Sequence, residues 1–177
     1  PVRKELMDVA PKRLTISPTE GEQVQIGPGL GVVFKIEGHE TGGAFSVVEH
    51  PIEPRTLVIP HVHEREDEFS YVLEGEIGAR IGEHELTAGP GAYVLKPRGI
   101  PHTFWNPTDR PARVLEIISP AGFEMFFREW ASMLAAPGEP DIAAITAVEE
   151  RYGNGGQLGQ MDWIPDLMQR YGLNSPL

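Results

Sequence analysis

The chain has 177 residues, enough for one domain with a real core, and 40% of them are hydrophobic. A formal net charge of −11 disfavours nucleic acid and anionic membrane as partners, because both need clustered Lys and Arg. The absence of cysteine excludes disulfides, thiolate metal sites and a Cys nucleophile. No run approaches the length of a membrane span, and "PVRKELMDVAPKRLTI" lacks the apolar core of a signal peptide, which points to the cytoplasm.

The first 120 residues read as strands. "LGVVFKI" and "AFSVVEH" flank the turn-rich "EGHETGG". "RTLVIPHVH", "EFSYVLEGEIGARI", "HELTA", "AYVLKP" and "ARVLEIIS" follow, with Gly82-Glu83 as a two-residue hairpin turn between "GARI" and "HELT". Many short strands at regular spacing predict an all-β sandwich or barrel over residues 1–120. The texture then changes, and residues 121–177 read as a helical extension packed on the barrel. Phe123, Phe126, Phe127, Trp130 and Leu134 recur at helical spacing, with Gly138 placed to end the helix. Ile142, Ile145, Val148 and Tyr152 repeat the pattern, closed by Gly153. "MDWIPDLMQRYG" is a third, shorter helix with Asp162 as candidate N-cap. These helices either pack on the outside or close a pocket mouth. "GNGGQLG" (153–159) reads as a connector, since it lacks the Lys and the preceding strand of a phosphate loop.

The chemistry lies in "PHVHEREDEFSYVLEGE". On a strand, Leu57, Ile59, His61 and His63 share one face, and the two apolar residues mark it as interior. Two imidazoles side by side in an apolar interior are costly unless they find a partner, and a metal ion is one. The charged run Glu64 to Asp67 reads as a solvated turn, after which Glu68 opens the next strand, aimed back at the same interior. In "GAYVLKPRGIPHTFWNP", a tight turn at Pro97, Gly99 and Pro101 delivers His102, with Phe104 and Asn106 on its face. His39, His50 and His84 receive no role.

These residues resemble the cupin superfamily, small jelly-roll β-barrels that hold a metal. His61, His63, Glu68 and Gly75 match its first motif, and Gly91, Pro97, Gly99, His102 and Asn106 match its second. The first motif usually begins with Gly six residues before its first His, and Arg55 stands there instead. The resemblance implies a mainly β cupin barrel in which His61, His63, Glu68 and His102 bind one divalent transition metal ion: Ni, Co, Fe, Mn, Cu or Zn. With no fifth protein ligand evident, open positions favour catalysis over a closed structural site.

Within the cupins the chain looks most like the single-domain bacterial quercetinases, flavonol 2,4-dioxygenases that join the two motifs to an aromatic tail similar to "AGFEMFFREW". That likeness implies a small aromatic substrate and O₂ as reaction partners, with Glu68 taking the substrate's hydroxyl proton. Tyr93 and Phe104, inward by strand parity, and Phe123 and Phe127 from the tail would contact the substrate. Two other classes remain open. One is a different metal enzyme, such as a sugar-phosphate isomerase, which should place Lys or Arg in the pocket. Only Arg80, Lys96 and Arg98 lie nearby, and parity turns Lys96 outward. The other is a non-catalytic ligand-binding cupin. Unpaired strand edges predict a homodimer.

Overall fold

The computed structural model describes residues 14–138, 141–155 and 161–174. Nine strands and three α-helices form among them: β1 (Gln23–Gly27), β2 (Leu30–Ile36), β3 (Ser46–Ile52), β4 (Asp67–Glu74), β5 (Ile77–Ile81), β6 (His84–Ala88), β7 (Tyr93–Lys96), β8 (His102–Trp105), β9 (Ala112–Ser119), α1 (Glu124–Ala135), α2 (Ile142–Tyr152) and α3 (Ile164–Tyr171). Every pairing is antiparallel. A six-stranded sheet of order β1-β2-β3-β9-β4-β7 accompanies a three-stranded sheet of order β6-β5-β8, in a jelly-roll arrangement. β1 was not anticipated from the sequence, since "QVQIG" is too short and polar to announce itself. No helix among the described residues is long and apolar enough to cross a membrane.

Residues directly opposite in an antiparallel ladder share a face, so register fixes what the large sheet turns inward. His50 faces Val114 and Val48 faces Glu116. Val72, Ser70 and Glu68 on β4 face Val114, Glu116 and Ile118 on β9. Glu68 and Ser70 also face Lys96 and Val94 on β7. All are buried. His50, Glu116, Ser70, Glu68 and Lys96 therefore form a polar track across an otherwise aliphatic inner face.

Three apolar clusters surround this track. Leu30, Ile52, Val58, Val72, Ile77, Phe104 and Val114 fill one end between the sheets. Phe123, Phe126 and Phe127 of the tail join Val32, Phe34, Val48 and Ile118 at the other end, with Trp130 packed against them. α3 and the residues flanking it cover Leu57 and Trp105 through Met161, Ile164, Leu167 and Leu173. The tail is thus part of the core. Replacing Phe126 by Ala should cost about 3–5 kcal/mol in chemical denaturation. Leu134→Ala, at an exposed position, should stay within about 0.5 kcal/mol.

Several expectations need correction. β7 has the opposite parity: Tyr93 is 73% exposed, while Lys96 is buried. β7 is an edge strand, so Tyr93 can lean on Tyr71 (ring centroids 4.7 Å apart) on the outer face while the Lys96 ammonium meets two carboxylates inside. Thr56–His63 is not a ladder strand. It makes isolated bridges at Leu57, His61 and His63, and the pleat breaks between them, so Leu57 packs under α3 while Val58 faces the barrel core. α1 ends at Ala136, which turns extended before Pro137, rather than at Gly138, and Leu134 is exposed. In α2, Ile142 is exposed, whereas Gly153 closes the helix in the left-handed conformation as anticipated. α3 is capped from Trp163 without a side-chain bond, not by Asp162. Part of the 153–159 connector lies outside the described residues.

Candidate metal centre

The ligand strand and the second motif are joined by backbone. His61 N–H donates to the His102 carbonyl at 3.0 Å, and His102 N–H donates back at 2.9 Å. Gly99 N–H, at the motif turn, donates to the His63 carbonyl at 2.7 Å. These bonds bring the three imidazoles together. The His61 and His63 Nε2 atoms are 3.1 Å apart. Glu68 Oε1 is 3.2 Å from His63 Nε2, and Oε2 is 3.6 Å from His102 Nε2. One donor atom from each of His61, His63, Glu68 and His102 lies within 4.8 Å of all the others.

The outer ring edges set the tautomers. His61 Nδ1 is 2.7 Å from the Ile59 carbonyl and His102 Nδ1 is 3.0 Å from that of Ile100. A carbonyl only accepts, so both Nδ1 atoms carry the proton and both Nε2 lone pairs point into the cluster. Burial, reinforced by the neighbouring imidazoles, holds His61 well below the usual histidine range, and burial likewise lowers His102. Burial pushes Glu68 the other way, but its electrostatic interactions with His63, Lys96 and His102 outweigh it and keep its carboxyl well below the usual range. His102 Nε2 is buried without a hydrogen-bond partner. Neutral imidazoles with inward lone pairs, one ionised carboxylate and an orphaned ligand nitrogen fit a divalent transition ion. Replacing His61, His63 or His102 with Ala should lower metal occupancy strongly, measured by elemental analysis of each purified variant. Full occupancy in all three would sink the assignment. Chelation should lower the unfolding temperature of the wild type, because the ion binds the folded state.

Neighbouring residues hold this geometry. Where the motif calls for glycine, Arg55 takes φ 60°, the one non-glycine among the described residues with positive φ. Its guanidinium bonds the Pro107 and Tyr171 carbonyls and Asp109, which offsets the conformational cost and ties α3 to the barrel. Gly75 has φ 73°, and a Cβ there would stand 2.8 Å from Ala112. Asn106 is a clamp rather than a ligand: its amide donates to the Ile52, Glu53 and Arg110 carbonyls, and its oxygen accepts from Thr108. Glu66, expected in a solvated turn, is buried, with Oε2 4.0 Å from His63 Nδ1. The exit of α2 runs beside the ligand strand, since Glu64 N–H donates to the Gly153 carbonyl and Gly155 N–H to that of Val62.

The cluster opens on a cavity of about 90 Å³. Phe104, Phe123, Phe126, Phe127 and Trp130 form an aromatic wall, and His61, Glu68, His50, Glu116, Glu149 and Asn154 supply its polar atoms. No Lys or Arg is among the described residues that line it. Of the four residues expected to meet substrate, Phe104, Phe123 and Phe127 line this cavity and Tyr93 does not. The Phe123 ring lies edge-on to His63, with centroids 4.1 Å apart.

Sequence reasoning missed His50, Lys96 and Glu116. Lys96 Nζ bridges Glu68 Oε2 at 3.1 Å and Glu116 Oε1 at 2.8 Å, and Ser70 Oγ donates to Glu116. One positive charge stands between two carboxylates. Burial pushes Glu116 up to about 7 despite Lys96, while Lys96 itself is raised, its two carboxylates overcoming desolvation. The available signal was a charge on apolar parity, Val114-Glu116-Ile118 in "ARVLEIIS".

A family model for the cupin domain matches residues 49–118. Solved structures that the chain resembles include KdgF from Halomonas sp. (19% identity, 62% of this chain and 96% of that one, TM-score 0.56). A sugar phosphate isomerase from a cupin superfamily of Silicibacter pomeroyi is 26% identical over 59% of this chain and 74% of that one, at TM-score 0.51. The polyketide cyclase RemF from Streptomyces resistomycificus is 25% identical over 60% and 79%, at TM-score 0.53. No curated protein matches the chain in sequence. The fold is mostly β, a cupin jelly roll followed by helices α1 to α3.

Proposed function

We propose that this protein is a metal-dependent dioxygenase that opens a small hydroxylated aromatic or enolic substrate with O₂. The observation that carries this reading is the cavity: a His₃Glu cluster meets an aromatic wall, with no Lys or Arg among the described residues that line it. A divalent ion there would supply Lewis acidity toward a substrate hydroxyl and, if redox-active, electron transfer to O₂. Glu68, ionised and within reach of the cluster, would accept the hydroxyl proton. Phe104, Phe123 and Phe127 would orient the ring and exclude water. Both atoms of O₂ enter the opened product, so the reaction consumes no external reductant.

A sugar-phosphate substrate fits this cavity less well. A dianionic phosphate would meet Glu68, Glu116 and Glu149, and the buried Lys96 is already shared between two carboxylates. The volume, about 90 Å³, falls below the roughly 150 Å³ of a cavity that takes up benzene. Even one ring therefore requires the α1 wall to yield, and a three-ring flavonol requires more movement, which favours the smaller substrates. The test is O₂ consumption by metal-loaded protein given catechol, 3-hydroxyflavone or quercetin, beside fructose 6-phosphate under isomerase conditions. Uptake with a hydroxylated ring supports the reading. Isomerisation without uptake, or no turnover of any, would overturn it in favour of the isomerase or the ligand-binding alternative.

We also propose a homodimer through the outer face at β7, where Tyr93 and Leu95 are exposed on an edge strand. Sedimentation should give a dimer for the wild type and a monomer for Leu95→Lys. A wild-type monomer would refute this assembly.

A further inference from the structure

His50 belongs to the cavity but not to the metal cluster. β3 places it on the inner face opposite Val114, whereas Glu68 stands opposite Ile118, four residues further along β9 on the strand's other neighbour. The two groups therefore mark separate points on one cavity wall. The ring of His50 is held edge-on to Phe127 (centroids 5.5 Å apart) and tilted to Phe104 (6.1 Å). Its Nδ1 lies 3.0 Å from the Gly31 carbonyl. Since that carbonyl only accepts, Nδ1 carries the proton and Nε2 holds a lone pair. Burial lowers the group to about 4, so the imidazole is neutral at pH 7. Nε2 makes no hydrogen bond among the described residues, and with Nδ1 turned to the backbone the opposite ring edge faces the cavity.

A residue needed only to satisfy Gly31 would not require a second ring nitrogen. An acceptor fixed on the wall of a largely aromatic cavity gains from a ligand that donates a hydrogen bond to it. We infer that His50 is a substrate-recognition residue, whose Nε2 accepts a hydrogen bond from a hydroxyl on the ligand at a point separate from the metal-facing oxygens. This rests on the ring-bearing ligand proposed above and narrows it to rings with a further donor beyond the chelating pair.

Anaerobic binding tests it without turnover. Protein loaded with Co(II) is titrated with 4-methylcatechol against 1,2,4-benzenetriol, and with 3-methylcatechol against pyrogallol, following the Co(II) absorption bands. Each pair exchanges a methyl for a hydroxyl of similar size. In the wild type, one pair should favour the hydroxyl by about tenfold, the effect of one hydrogen bond in a buried site. His50→Phe and His50→Met should abolish that preference while binding the methyl probe within about threefold of wild type. His50→Gln can donate to Gly31 and keep an oxygen toward the cavity, so it should retain part of the preference. Co(II) stoichiometry and thermal unfolding of each variant separate this from loss of fold. An unchanged preference in the Phe and Met variants, or none in the wild type, overturns the role of His50 and leaves ring binding standing. If no probe perturbs the Co(II) bands, both readings fall.

Discussion

Glu68→Gln should still load metal when the ion is in excess, yet lose turnover by about 10²–10⁴-fold, the typical effect of removing an acid–base group. The carboxylate has two faces. Oε2 is anchored 3.1 Å from Lys96 Nζ, and Oε1 stands 3.2 Å from His63 Nε2. Glutamine keeps the volume, but its amide oxygen is drawn to the Lys96 ammonium, which leaves the amide nitrogen toward the cluster. The ion then rests on three imidazoles, so affinity falls without vanishing, while no basic oxygen remains for the substrate proton. Elemental analysis and O₂ uptake on the same preparation decide the matter. Parallel loss of both would make Glu68 chiefly a ligand. Retained turnover in a metal-loaded variant would remove it from the chemistry.

What was legible in the sequence follows from which constraints are local. His61, His63, Glu68 and His102 could be read because a metal site fixes ligand type and short spacing together, and a tight turn before His102 advertises itself through Pro97, Gly99 and Pro101. The helical tail was legible because four aromatics at helical spacing leave few alternatives. The polar track was not. Glu116 left only a charge on the apolar parity of Val114 and Ile118, and whether Lys96 faces inward depends on the pairing of β7 with β4, a long-range contact with no local signature. Parity counted from an aromatic misled at Tyr93, because an edge strand can leave a tyrosine outside and turn a lysine inward when two carboxylates wait for it. His50 looked idle because its partners, Gly31, Phe104 and Phe127, come from three distant segments. Arg55 shows the converse, since its side-chain bonds to Pro107, Asp109 and Tyr171 permit a backbone conformation for which glycine is the usual choice.

What the buried charges contribute to stability can be measured. Lys96→Met leaves Glu68 and Glu116 facing one another without their cation, and breaking a buried ion pair from one side costs about 3–5 kcal/mol. Much of that cost is an uncompensated carboxylate, so adding Glu116→Gln should restore a substantial part of it. The double variant should be more stable than Lys96→Met alone, a coupling that a merely volumetric effect of Met would not produce. The pH dependence supplies a second check on metal-free protein. Glu116 titrates near 7 in the fold, above the 4.5 of the unfolded chain. Between those values the folded state binds more protons than the unfolded one, so this group makes stability fall as pH rises, by at most about 1.4 kcal/mol per pH unit. His61 and His102, lowered in the fold, act in the opposite sense below the ordinary histidine range. The wild type minus Glu116→Gln difference cancels them. Denaturation at pH 5, 6, 7 and 8 should therefore show Glu116→Gln gaining on the wild type up to about pH 7 and holding that gain at pH 8. A difference that stays flat with pH would mean that Glu116 is fully ionised throughout, and that Lys96 satisfies both of its carboxylates.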